Sequence, residues 1–174
     1  MVSMRRCRAL ACRPDKRFNA AMNPEIPAWL KHAQAHMDQT PFFAHLEGRS
    51  VSFGPRSATM RVPWSPELVG DPETNVVHGG VITALLDHTS GAAVMATLLE
   101  PIAIATLDLR IDYMHPATPG EAIIAEVECL KAGRDIAFVR GSAYQGSKDD
   151  PIAISTGAFM LMRSQVSGWT PPER

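Results

Sequence analysis

In the segment His78-Gly79-Gly80-Val81-Ile82-Thr83-Ala84-Leu85-Leu86-Asp87 a bare glycine turn opens onto an almost wholly apolar run. One carboxylate, Asp87, stands inside that run. An ionised carboxylate in apolar surroundings is costly unless it is paired or used. Backbone amides at a Gly-Gly helix start attract negative charge. The spacing therefore suggests an oxyanion-stabilising turn and a general base or nucleophile carried on one short element. Thr83, Asp87, Ser90 and Gly91 fall at i, i+4, i+7 and i+8, so they share one small, polar helix face.

The elements needed to hold such a site follow from the patterning. Val81, Ile82, Leu85, Leu86, Ala92, Val94, Met95 and Leu98 cover most of the circumference of a helix over about 79–99, which predicts a buried helix. Before it, 25–46 reads as a helical region broken by Pro27 and Pro41, 49–63 as two short strands about a Gly54-Pro55 turn, and 64–77 as a loop. After it come four strand-like segments, about 103–114, 120–131, 135–146 and 151–163. The first alternates: Leu107, Leu109, Ile111 and Tyr113 are expected on one face, and Thr106, Asp108, Arg110 and Asp112 on the other. Turns at Gly133-Arg134-Asp135 and 146–150 are too short for parallel crossovers and imply antiparallel pairing. The expected fold is α+β, an antiparallel sheet of five or six strands wrapped around the long helix.

Composition sets the outer bounds. A chain of 174 residues favours one domain with a sizeable core. A formal net charge of −1 gives no general attraction to nucleic acid or to an anionic membrane. No apolar run approaches the roughly 20 residues of a membrane-spanning helix. The odd set Cys7, Cys12 and Cys129 suits a reduced, cytoplasmic protein with a buried thiol. Residues 1–21 are rich in Arg and nearly free of acids, as a transit peptide would be; they are taken as an extension outside the fold, with a single domain over 22–174.

Metal chemistry is not expected. Among His78, Asp87, His88 and His115, the adjacent Asp87 and His88 diverge around the helix, and no metal-ligand spacing is present. His88 is read as an interface or surface residue. Met60, Met95, Met114, Met160 and Met162 are read as core filler.

With these residues in order, the chain resembles the hotdog-fold thioesterases, in the branch of the phenylacetic-acid-pathway (PaaI-like) acyl-CoA thioesterases. The resemblance is carried by His78-Gly79-Gly80 with Asp87, the strand Ala105 to Tyr113 with Pro116, the Gly133-Arg134 turn and the closing strand Ala153 to Met162. It implies an acyl-CoA or aryl-CoA hydrolase that forms a homodimer or homotetramer, with sites between subunits and no cofactor beyond the coenzyme A of the substrate. By the resemblance, Asp87 is the catalytic carboxylate, as base or nucleophile. The Gly79 amide is the oxyanion donor, and His78 shapes the turn and helps hold the thioester. Thr106 orients the attacking water from across the subunit interface. Gly80, Asn75 and Arg134 are the substrate-binding candidates; Arg134 suits a CoA phosphate or is a plain turn arginine.

Two positions depart from the family pattern. Pro72 stands where members often have Asn, and Asn75 where they often have Gly. Asn tolerates the left-handed backbone better than most residues, which would preserve the turn. Two rivals on the same fold remain, an acyl-thioester hydratase or dehydratase and a non-catalytic acyl-CoA binding module.

Overall fold

The computed structural model describes residues 25–162. The expected extension over 1–21, with Cys7 and Cys12, lies outside the described residues.

Helices α1 (Ala28–Asp38) and α2 (Pro41–His45) precede strands β1 (Arg49–Gly54) and β2 (Ser57–Val62). A single 3-10 turn, Pro66–Leu68, leads to the short strands β3 (Val69–Asp71) and β4 (Val76–Val77). The long helix α3 (Gly79–Thr97) follows, and then β5 (Ala103–Tyr113), β6 (Ile123–Ala132), β7 (Ile136–Tyr144) and β8 (Pro151–Met162). The segment 64–77, expected as plain loop, thus holds its own small hairpin.

Six strands form one sheet in the order β1-β2-β6-β7-β8-β5, antiparallel throughout. Helix α3 lies across its inner face, chiefly on β2 and β6. Leu85, Leu86, Val94 and Ala93 of the helix are fully enclosed, against Met60, Ala125, Val127 and Val139 from the sheet. Two buried threonines enter this apolar helix by bonding back to it. The Thr89 and Thr97 hydroxyls donate to the carbonyls of Leu85 and Ala93, at 2.6 and 3.0 Å, which satisfies two groups that burial would otherwise penalise.

β5 departs from the expected alternation. Its register against β8 runs Thr106↔Phe159 and then Asp108↔Ala158, so Leu107 is an extra residue in a β-bulge. Strict period-2 counting would set Thr106 on the face of Asp108, Arg110 and Asp112. The bulge shifts the count by one, and Thr106 joins Leu109, Ile111 and Tyr113 on the face toward α3. Two of the methionines also differ from expectation: Met114 and Met160 are exposed at 51% and 42%, whereas Met60 is fully buried.

Candidate active site

The helix mouth is built from four segments. His78 is the N-cap of α3, and its Nδ1 accepts from the Gly80 N–H at 3.0 Å, settling one of the donors a helix start leaves unpaired. Its own N–H donates to the Leu68 carbonyl at 2.8 Å, tying the turn to the segment before β3. The approach runs through a tight turn in which Asp71 accepts from the Glu73 N–H at 3.1 Å and the Thr74 hydroxyl at 2.6 Å. Pro72 occupies the second position of this turn, where its fixed φ is an advantage. Asn75 leaves the turn with φ of 59°, the left-handed conformation for which a glycine or asparagine is suited. The family's usual Gly is thus replaced without loss of the turn. The Trp64 indole N–H donates to the Asn75 carbonyl at 3.1 Å.

At the first helical position, the Gly79 N–H donates to nothing among the described residues. It is an uncommitted donor at the positive end of a 19-residue helix. Tyr113 of β5 reaches over this turn. Its hydroxyl donates to the Gly79 carbonyl at 2.8 Å and lies 2.8 Å from the Thr83 hydroxyl. Sequence reasoning used Tyr113 only as a marker of the strand end; the signal available was an aromatic with a polar tip at the end of an exposed strand.

Asp87 stands two turns further along α3 and is half-buried. Its Oδ1 accepts from the Thr106 hydroxyl at 2.8 Å. Its other oxygen has no protein partner among the described residues. Donor and acceptor belong to the same chain, which corrects the expectation that Thr106 reaches Asp87 from a neighbouring subunit. The bulge at Leu107 is the reason, because it turns Thr106 toward its own helix.

His88, expected at an interface or the surface, is half-buried. Its ring stacks on Phe43 of α2, with centroids 4.0 Å apart and planes inclined by 20°. Burial pulls its pKa below the usual histidine value, against the opposing effects of the Met37 backbone and the Asp87 and Asp38 charges. Arg134 occupies the exposed β6–β7 turn, 3.8 Å from Asp135. Through the register Thr106↔Phe159↔Ala137 that turn lies at the Thr106 end of the sheet. Beside the helix mouth is a cavity of about 350 Å³, lined by Val76, Val77, Ile82, Tyr113, Met114 and Pro116 among others. No group of three or more His, Cys, Asp or Glu placed to hold a metal ion occurs among the described residues. No described helix is long and apolar enough to cross a membrane.

The arrangement offers a carboxylate with one hydroxyl partner, an unpaired amide at a helix start, and an apolar cavity beside that amide. These groups suit attack on an acyl carbonyl whose oxygen gains charge.

The profile of the thioesterase superfamily matches residues 74–152. The chain is 30% identical over 109 residues to a medium/long-chain acyl-CoA thioesterase of Escherichia coli, an alignment covering 55% of this chain and 69% of that protein. A crystal structure from Pseudomonas aeruginosa is similar with a TM-score of 0.69 and 38% identity, over 76% of this chain and 98% of that one. The PaaI protein of the Escherichia coli phenylacetic acid degradation operon shares the fold, with a TM-score of 0.66 at 16% identity over 77% of this chain and 94% of that one.

Proposed function

The chain belongs to the thioesterase superfamily, and on that premise we propose that it hydrolyses an acyl-CoA thioester at a site built from two copies of the chain. Asp87 supplies the carboxylate that activates water or attacks the thioester carbon itself. Thr106 orients that attack. The Gly79 N–H receives the developing oxyanion, where a fixed donor acts without reorganisation. The leaving group is a thiol, a class whose cysteine member has a pKa near 8.5, and it departs as thiolate without a strong general acid, so a single carboxylate suffices. His78 and Gly80 hold the turn, Asn75 shapes its approach, and Arg134 is the candidate for a CoA phosphate.

The separation of Gly79 from Asp87 carries the two-copy reading. Eight residues of helix put about 12 Å between them along the axis. A thioester oxygen on the Gly79 amide sits about 3 Å from it, and the carbon must come within roughly 3.5 Å of the attacking atom. One chain does not present both groups to one thioester. β5 supports the same conclusion. It is an 11-residue edge strand with Leu107 half exposed, and a long open edge invites a second strand. Gly79 of one chain then faces Asp87 and Thr106 of the other.

Complementation tests this. Gly79→Pro removes the oxyanion N–H at a position that accepts proline, because it is the first helical position, His78 already has extended ψ of 132°, and a Cβ there meets the Tyr113 hydroxyl at an ordinary contact of 3.4 Å. Asp87→Asn removes the carboxylate. Each variant alone should release little thiol from a panel of acyl-CoAs. Mixed and re-assembled, they should recover roughly a quarter of wild-type activity, since half the dimers are mixed and each carries one intact site. No recovery from exchanged, folded dimers would overturn the shared site. Absence of thiol release by the wild type across the panel would overturn the activity.

A further inference from the structure

A Gly-Gly helix start is the loosest backbone this chain could place at an oxyanion site. Glycine has the widest conformational range of any residue, whereas an oxyanion donor works by being held in place beforehand. The peptide joining Gly79 to Gly80 is nevertheless held at both ends. Its N–H is bound by His78 Nδ1 at 3.0 Å. Its carbonyl accepts the Tyr113 hydroxyl at 2.8 Å, while the Thr83 hydroxyl lies within 2.8 Å of Tyr113 and 3.2 Å of the same carbonyl. The Tyr113 ring closes over the turn: a Cβ on Gly79 would meet its hydroxyl oxygen at 3.4 Å and Cζ at 3.6 Å.

We infer that Tyr113, backed by Thr83, is a positioning residue that fixes the Gly79–Gly80 peptide and so restrains the Gly79 backbone, whose own N–H belongs to the preceding peptide, held by the Val81 N–H on the His78 carbonyl at 2.9 Å. The inference rests on the reading of Gly79 as oxyanion donor. The bonds form one chain, from Thr83 to Tyr113, through the Gly79–Gly80 peptide, to the His78 ring. Linked hydrogen bonds of this kind polarise one another. The chain also sets the His78 tautomer. A ring that accepts at Nδ1 carries its proton at Nε2 when neutral, so His78 presents a donor at its exposed edge and not a base. Tyr113 belongs to β5, the strand that also brings Thr106 to Asp87. One edge strand thus positions both halves of the chemistry.

The decisive variant is Tyr113→Phe, which keeps the ring and removes one oxygen. Steady-state kinetics on the best acyl-CoA should show kcat lowered about tenfold with KM within about twofold, the pattern of a contact that matters only in the transition state. Thr83→Val should give a smaller fall and Thr83→Ser should restore it. The ligand-free protein provides a second readout independent of turnover. Amide hydrogen exchange at Gly80, whose N–H is bound by His78, should quicken in Tyr113→Phe, while that of Leu85 and Leu86 stays unchanged. Wild-type kcat together with unchanged Gly80 exchange would overturn the inference. If the wild type releases no thiol, the activity reading fails, and the exchange result still decides whether Tyr113 holds the turn.

Discussion

At the mouth of α3, three side chains converge on two glycines; two turns further along, one hydrogen bond reaches Asp87. The mouth is a backbone site. Its acting group is an amide that has no rotamer of its own, so its direction comes from whatever holds the peptide planes on either side of Gly79. The middle is a side-chain site. Asp87 already has direction from its place on the helix, and one partner leaves its second oxygen for water or substrate. The contrast shows where the structure supplies restraint: heavily around the amide that must not move, lightly around the carboxylate that must react.

The largest effect should come from the lightly held end. Asp87→Asn keeps an oxygen for Thr106 and removes the charge. Thiol release should fall by about 10² to 10⁴, the range of a lost general base or acid, while the melting temperature changes little. Wild-type turnover in that variant would break the comparison at its root. Thr106→Ala comes next. A hydrogen bond to a charged group contributes about 1.5–3 kcal/mol, so kcat should drop by roughly one to two orders of magnitude, with KM nearly unchanged. A pure rise in KM would turn Thr106 into a substrate-binding residue.

A smaller effect separates the two ends by stability. Asn75 feeds the mouth in a left-handed conformation. Asn75→Ala should destabilise by about 1 kcal/mol, and Asn75→Gly should be close to neutral, as judged by urea midpoints. The smallest effect is pH-dependent and belongs to the middle. His88 packs on Phe43 with a pKa held below the usual value by burial. The unfolded chain takes up the proton first, so this contribution to stability is present above about pH 6.5 and is lost as pH falls toward the depressed folded pKa. Melting curves between pH 7.5 and about 5 should show a slope that His88→Phe reduces; an unaltered slope would mean that other groups carry it.

Much of this arrangement was legible in the sequence because local rules dominate where it was read correctly. Apolar residues all round 79–97 can only be a buried helix. Glycine and proline mark the turns. Asn75 was readable because few residue types accept its φ. Thr106 was readable as a participant but not as a neighbour, because alternation counts residues and cannot see one extra. Leu107 breaks the count with no glycine or proline to announce it. The partial cover of His88 was missed for a different reason. Its cover comes from α2, more than 40 residues earlier in the chain, and helical periodicity carries no information about what packs on a helix from outside. Tyr113 was passed over because its partner is a main-chain carbonyl, which no side-chain motif encodes.

The bulge at Leu107 also constrains how this strand can change through descent. Point substitutions alter what Thr106 is but not which way it points. Loss of one codon at 107 would invert the facing of residues 103–106 in a single step, carrying the hydroxyl away from Asp87 while leaving Tyr113 over the helix mouth. Intermediates between the two arrangements do not exist, since a register is whole or shifted. Drift at this edge is therefore free in residue identity and closed in residue number, and an insertion or deletion between 104 and 112 should be tolerated only when a second one nearby restores the count.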